Sequence, residues 1–392
     1  MAPAARLISK AMRSCLALSV LGGLLAACGS GAASLPPAAA QSRSFLDQFH
    51  HVSQLASTVP ANGDVNPYGV AVVPESLGDL VAGDALVTNF NDRQNVQGTG
   101  TTVVEVSRQG QSRLFAQLSQ LPTGESCAGG VGLTVALGVL PGGWVIVGSL
   151  PTIDEGNLPR RDPAGCLLVL DDQGHPVETI TNHDLDGPWD LTMRSTSTSA
   201  TVFVSDALGT QADRVVDGDL GAMAGATAGA ANIVRLTLAL RADAPPKLVN
   251  TTIVGKGFAW SAEKAALVLA PTGLTLDGHG TLYVDDTARN VVCAIPDALT
   301  RSRAIAANTA IISSSGALNQ PLGMTTTPTG DLLVVNGNDG NAVEISPSGK
   351  QLASHTIVPH GAGALIGLTL DPASHDILFV NDATNALDVL SG

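Results

Sequence analysis

Residues 182–190 read NHDLDGPWD, a dense cluster of chemistry-bearing side chains. His183, Asp184, Asp186, Trp189 and Asp190 could together touch a sugar, a peptide or a metal ion. The same letters also suit a tight turn with a packing tryptophan and solvated charges. A second acidic stretch, ADRVVDGD at 212–219, could offer Asp213, Asp217 and Asp219 to calcium, but it lacks the twelve-residue spacing and closing glutamate of an EF-hand. Elsewhere the reactive residues do not converge. The sequence holds no HExxH, CxxC or GxSxG, so zincin, thiol-exchange and serine-hydrolase chemistry lack their usual spacing.

The elements that must position these residues recur along the chain. LTLDGHGTLYVDDTARNVVCAI from Leu274, LGMTTTPTGDLLVVNGNDGNAVEI from Leu322 and IGLTLDPASHDILFVNDATNALDVL from Ile366 share one plan. A short apolar strand, a Gly/Pro/Asp turn, a stronger apolar strand, an Asn/Asp corner and a third strand follow in order. Weaker copies start near Tyr68, Val131 and Trp189, which makes six units. Proline opens four of them, at Pro67, Pro188, Pro271 and Pro321. Six such units specify an all-β, six-bladed β-propeller of four-stranded antiparallel blades.

LYVDDTARNVV resembles the core of an NHL repeat, and the resemblance covers nearly all of residues 66–390. It implies a fold family and not an activity. Asp285, Asp286, Asn290, Asn336, Asn341, Asp382 and Asn385 read as structural corners between second and third strands, since short polar side chains hold tight turns. The last unit ends after three strands, so a segment before the first blade, FHHVSQLAST from Phe49, is expected to complete it. Long insertions at 151–165 and 207–230, with inter-blade loops at 119–130 and 255–270, fall on one face. The binding rim expected there comprises Tyr68, His183, Asp184, Asp186, Trp189, Asp190, Trp260 and Asn319.

The N-terminal region carries an address. Arg6, Lys10 and Arg13 precede an apolar run that is short for a membrane span, and Leu25-Ala26-Ala27-Cys28 resembles a bacterial lipobox. This divides the chain into a lipoprotein signal peptide (1–27), a flexible Gly/Ala/Ser/Pro tether (28–45) and a propeller domain (46–392), with lipidation at Cys28. The expected location is the bacterial cell envelope, in the periplasm or at the outer surface, with acyl chains in the bilayer. An oxidising envelope permits Cys127 and Cys166 to pair, and Cys293 in VVCAI reads as a buried small side chain. A formal net charge of −14 with no basic block excludes binding to nucleic acid.

Three functions are consistent with this reading. The first is a non-catalytic, envelope-anchored propeller that binds a protein or polysaccharide partner through its long-loop face and needs no cofactor. The second is a metal-dependent hydrolase resembling the gluconolactonase-like propellers, with a divalent metal such as calcium on the channel axis. That resemblance implies a ligand set drawn from several blades. Glu105 and Glu344 occupy similar positions in two units, but on third strands, and no full set maps onto the sequence. The third is a quinone-dependent sugar dehydrogenase, which would need an aromatic-walled basic pocket in a chain only 3% aromatic.

Overall fold

The computed structural model describes residues 44–127, 129–150, 164–209, 228–241, 243–263 and 267–392. The chain is all-β and forms six sheets around a central channel. The first strand, β1 (His51–Ser57), does not belong to the first blade. Blade one is β2 (Val65–Val72), β3 (Ala85–Asn91), β4 (Gln97–Val106) and β5 (Ser112–Gln117). Blade two is β6 (Leu133–Val139), β7 (Val145–Leu150), β8 (Cys166–Leu170) and β9 (Pro176–Ile180).

Blade three contains β10 (Pro188–Ser195), β11 (Ser199–Asp206), β12 (Ala228–Arg241), β13 (Ala244–Glu263) and β14 (Leu267–Leu269). Blade four follows with β15 (Pro271–Leu276), β16 (Leu282–Asp286), β17 (Val291–Ile295) and the outer strand β19 (Ile311–Ser314). Between these last two, β18 (Ile305–Ala306) runs parallel to β13 of blade three. Blade five is β20 (Pro321–Thr326), β21 (Leu332–Asn336), β22 (Asn341–Ile345) and β23 (Gln351–Thr356). Blade six joins β24 (Leu365–Leu370), β25 (Ile377–Asn381) and β26 (Ala386–Ser391) to β1, with His51 opposite Ser391 and Ser57 opposite Ala386. The expected closure is therefore the observed one.

Local sequence explains these blades. Short polar residues hold the hairpin turns: in the inner hairpin of blade four Asp277 Oδ1 accepts from the N–H groups of His279 (2.9 Å) and Thr281 (2.8 Å), and in the outer hairpin of blade two Asp171 does the same for Gln173 and His175. Second strands are buried on both faces, because each is sandwiched between neighbouring blades, and so read as continuous apolar runs such as LLVV and ILFV. Innermost strands carry a glycine where adjacent blades crowd. A Cβ on Gly367 would lie 2.1 Å from the carbonyl oxygen of Tyr68, and one on Gly323 would lie 2.3 Å from that of Ile366.

Glu105 and Glu344 lie on third strands, far from any axial role. Both are buried and serve the backbone. Glu344 accepts from Phe45 N–H (3.0 Å) and Leu46 N–H (2.7 Å), fastening the turn that leads into β1. Glu105 accepts from Val81 N–H (3.0 Å) and pairs with Arg113. Cys127 and Cys166 are joined, with Cα atoms 5.5 Å apart, and tie the segment entering blade two to its third strand. Cys293 is a buried free thiol.

One sequence expectation needs correction. Much of 255–270 is strand and not loop: β13 continues through Glu263 and pairs with both β12 and β14. Phe258 and Trp260 are fully buried there, and their burial explains why the ribbon outruns an ordinary outer strand.

Candidate functional site

The axis of the ring is lined by innermost strands of all six blades. Tyr68, Gly69, Leu137, Asp190, Leu274, Gly323 and Gly367 are among the residues around a bore of about 150 Å³. At one end the bore meets a wider, mostly apolar mouth pocket of about 440 Å³. Tyr68 lines both spaces.

The mouth is built by four blades. Blade one gives Asn66, Tyr68 and Phe90; blade three gives Trp189 and Leu269; blade five gives Gln320, Leu322 and Asn338; blade six gives Ala362, Ile366 and Asp382. Its aromatic wall is fixed by packing. Trp189 Nε1 donates to Tyr68 Oη at 2.7 Å, with the rings edge-to-face and centroids 5.9 Å apart. Phe90 also packs edge-to-face with Tyr68, with centroids 6.2 Å apart. Trp189 is therefore a buried wall residue and not the exposed contact that its turn-like surroundings suggest.

Polar groups meet at the seam between blades one and six. With its amide oriented to satisfy its partners, Asn66 donates to Asp382 Oδ2 (3.1 Å) and accepts from Asn91 Nδ2 (2.8 Å). Its backbone N–H donates to Asn385 Oδ1 at 2.7 Å, across the closure of the ring. Burial pushes the Asp382 carboxyl up to about 6.

Two further carboxyls lie under the aromatic wall. Asp190 lines the bore, accepts from the N–H groups of Leu191 (2.8 Å) and Leu274 (3.0 Å), and is raised by burial to about 7. Asp285 is fully buried beside Gly273, where a Cβ would sit 2.7 Å from its Oδ2. Among the described residues neither Asp285 oxygen has a hydrogen-bond partner. Burial, then the nearby Asp190, holds Asp285 well above the usual carboxylate range, and burial, then the two carboxyls, also raises the Tyr68 hydroxyl.

The expected rim is thus brought together in part. Tyr68, Trp189 and Asp190 converge on the channel. Asn319 sits beside the mouth, held by Asp339 Oδ2 at 3.0 Å. His183 is exposed and lies 3.4 Å from Asp184; neither these two nor Asp186 lines the bore or the mouth. Trp260 is fully buried in the core and leaves the rim. Most of the two long insertions, with Asp213, Asp217 and Asp219, lies outside the described residues.

Among the corner residues, Asn290 adopts φ 58° and bonds across to blade five, donating to the Leu318 carbonyl (3.0 Å) and accepting from Gln320 N–H (2.8 Å). Asn385, at φ 50°, makes the matching contact to Asn66. Asn336 bonds Ala317 and Asn319, and Asp286 accepts from Ala259 N–H and Arg289. At Asn341 the turn is held instead by Asp339 Oδ1, which accepts the Asn341 N–H at 2.9 Å. Asp285 is no corner cap: it points to no backbone donor. Asn66, Phe90, Gln320 and Leu322 are mouth residues that the sequence reading missed. Two of them precede blade-opening prolines, Asn66-Pro67 and Gln320-Pro321, which is a usable signal.

Among the described residues no group of three His, Cys, Asp or Glu side chains is arranged to hold a metal ion. A divalent metal fits the mouth poorly, because its one carboxylate is already engaged by Asn66.

No protein-family model and no curated protein matches the sequence. Solved structures do. A gluconolactonase from Xanthomonas campestris aligns over 89% of this chain and 93% of its own, at 13% identity and TM-score 0.54. A luciferin-regenerating enzyme aligns over 87% and 95%, at 11% identity and TM-score 0.52. A calcium-binding regucalcin from Agrobacterium tumefaciens aligns over 86% and 93%, at 14% identity and TM-score 0.50. At these identities the likeness is one of fold, and it is to the six-bladed propellers that these enzymes and calcium binders share.

Proposed function

We propose that this chain is a binding propeller that receives an apolar or aromatic group of a protein or polysaccharide partner in its mouth pocket. The observation that carries this reading is the 440 Å³ apolar concavity walled by Tyr68, Phe90 and Trp189 and edged by Asn66, Gln320, Asn338 and Asp382. Polar edges would orient what the aromatic wall holds. Ala362 is exposed on the lip, so a tryptophan there fills the mouth with little strain on the fold. In a panel of envelope polysaccharides and peptides, a true ligand raises the unfolding temperature of the wild type, and Ala362→Trp reduces that affinity at least tenfold (about 1.4 kcal/mol). Equal affinity in a folded Ala362→Trp protein would remove the mouth as the binding site.

The address belongs to the same proposal. Leu25-Ala26-Ala27-Cys28 supports a lipid-anchored envelope protein whose tether presents the propeller to envelope partners. Mass spectrometry of the N-terminal peptide is expected to find acylated Cys28 as the first residue; an unmodified Cys28 inside a longer peptide defeats it.

A second reading, a lactonase-like hydrolase using a divalent metal such as calcium, is favoured by one local observation: two amides and a carboxylate, Asn66, Asn91 and Asp382, meet at one seam. The poor fit of that set to a metal leaves no step to derive through one. Lactone hydrolysis that rises with added calcium in the wild type and not in Asp382→Asn would carry this reading instead.

A further inference from the structure

We infer that the mouth pocket selects an organic cation, a quaternary or alkylated ammonium group, which it would hold between the Tyr68–Phe90–Trp189 wall and the Asp382 carboxylate. This rests on the mouth being the binding site and goes on to name the ligand class. Aromatic residues make up only 3% of the sequence, yet three of them converge on one pocket. They stand at steep angles to each other, 69° and 87°, so that they wall a concavity instead of stacking into a slab. The negative faces of such rings attract a positive charge, most strongly where water is excluded.

The charge balance of the pocket points the same way. Among the described residues that line the mouth, Asp382 is the one carboxyl, and none is a lysine, arginine or histidine. Among the described ion pairs none involves Asp382. Its partner is the neutral amide of Asn66, which orients the carboxyl without cancelling its charge. Beneath the wall, Asp190 and Asp285 add no positive charge either, and the chain as a whole carries −14. An apolar group that also carries a positive charge, such as a methylated ammonium, uses both the rings and the partly buried carboxylate, where an uncharged one uses the rings alone. An anion would meet the carboxylate as a like charge.

Choline and its uncharged isostere 3,3-dimethylbutan-1-ol have the same shape and separate charge from size. Titrated into the full propeller by calorimetry, with tryptophan fluorescence in parallel, choline is expected to bind at least tenfold more tightly than the isostere. Asp382→Asn should remove most of that preference, and Phe90→Leu should weaken choline more than the isostere. If Asp382→Asn fails to fold, the comparison of the two probes on the wild type still decides. Equal binding of both probes overturns the cation reading and leaves an apolar pocket. Silence from both, with Ala362→Trp still blocking a partner, also overturns it while the mouth stands. Silence from both with Ala362→Trp without effect removes the two readings together. Calcium binding that depends on Asp382, with no choline binding, overturns it in favour of a metal.

Discussion

Exchanging Asp285 for valine is expected to make the folded protein more stable at pH 8, by roughly 3 kcal/mol, while changing it far less near pH 4. The carboxyl is fully buried, has no hydrogen-bond partner on either oxygen among the described residues, and is held well above its ordinary range by burial and by Asp190. The folded state therefore binds its proton more tightly than the unfolded chain does. Such a group contributes fully below the unfolded pKa near 4, and that contribution is lost as pH rises from there through the folded value. Asp190, raised to about 7, and Asp206, raised to about 8, act with the same sign, so the wild type should weaken between pH 4 and pH 8. Valine is the natural substitute: Val335 and Val380 hold the equivalent second-strand positions of blades five and six, opposite the glycine-bearing bulge of the innermost strand. Urea midpoints at pH 5 and pH 8 for both proteins give the answer. A variant less stable at pH 8 would show that Asp285 has a stabilising partner.

Removing the Cys127–Cys166 bond is the second large effect. The two residues are 39 apart in sequence, and opening a loop of that size returns about 4 kcal/mol of conformational entropy to the unfolded chain. The double variant Cys127→Ala/Cys166→Ala should unfold at correspondingly lower denaturant, with the wild type in reductant matching it. Cys293 remains a buried thiol in both, its pKa driven upward by burial, and should resist alkylation until the protein unfolds. Identical midpoints with and without reductant would mean that the bond is absent or does not constrain the unfolded chain.

The architecture was legible because it is repeated. The blades repeat one plan, clearly in the last three and more loosely before them, and β1 completes blade six beside β26. The mouth is written nowhere as a motif. Asn66 and Asp382 are 316 residues apart and meet only because blade six abuts blade one, a juxtaposition that no local spacing encodes. Tyr68, Trp189 and Asp190 could be placed because they sit at blade starts, where chain position and channel position coincide. Trp260 misled because an outer strand that continues past its blade looks, in sequence, like a loop. Asp285 misled for a different reason: its neighbour Asp286 does the corner work, and two adjacent aspartates on a strand face opposite sides.

The last blade also sets the order of events when the chain is made. β1 leaves the ribosome early, but its partner β26 follows some 340 residues later, as the pairing of His51 with Ser391 records. Five blades can assemble as they emerge; the sixth cannot, and the fastening of Phe45 and Leu46 by Glu344 must also wait for blade five. The loop-closure cost of so distant a pair grows only logarithmically, about 0.6 kcal/mol per doubling of length, so the arrangement is thermodynamically cheap. In time it is expensive. Until β26 emerges, the growing protein has an open ring and a waiting strand, and whatever protects the nascent chain must hold it in that condition until blade six is made.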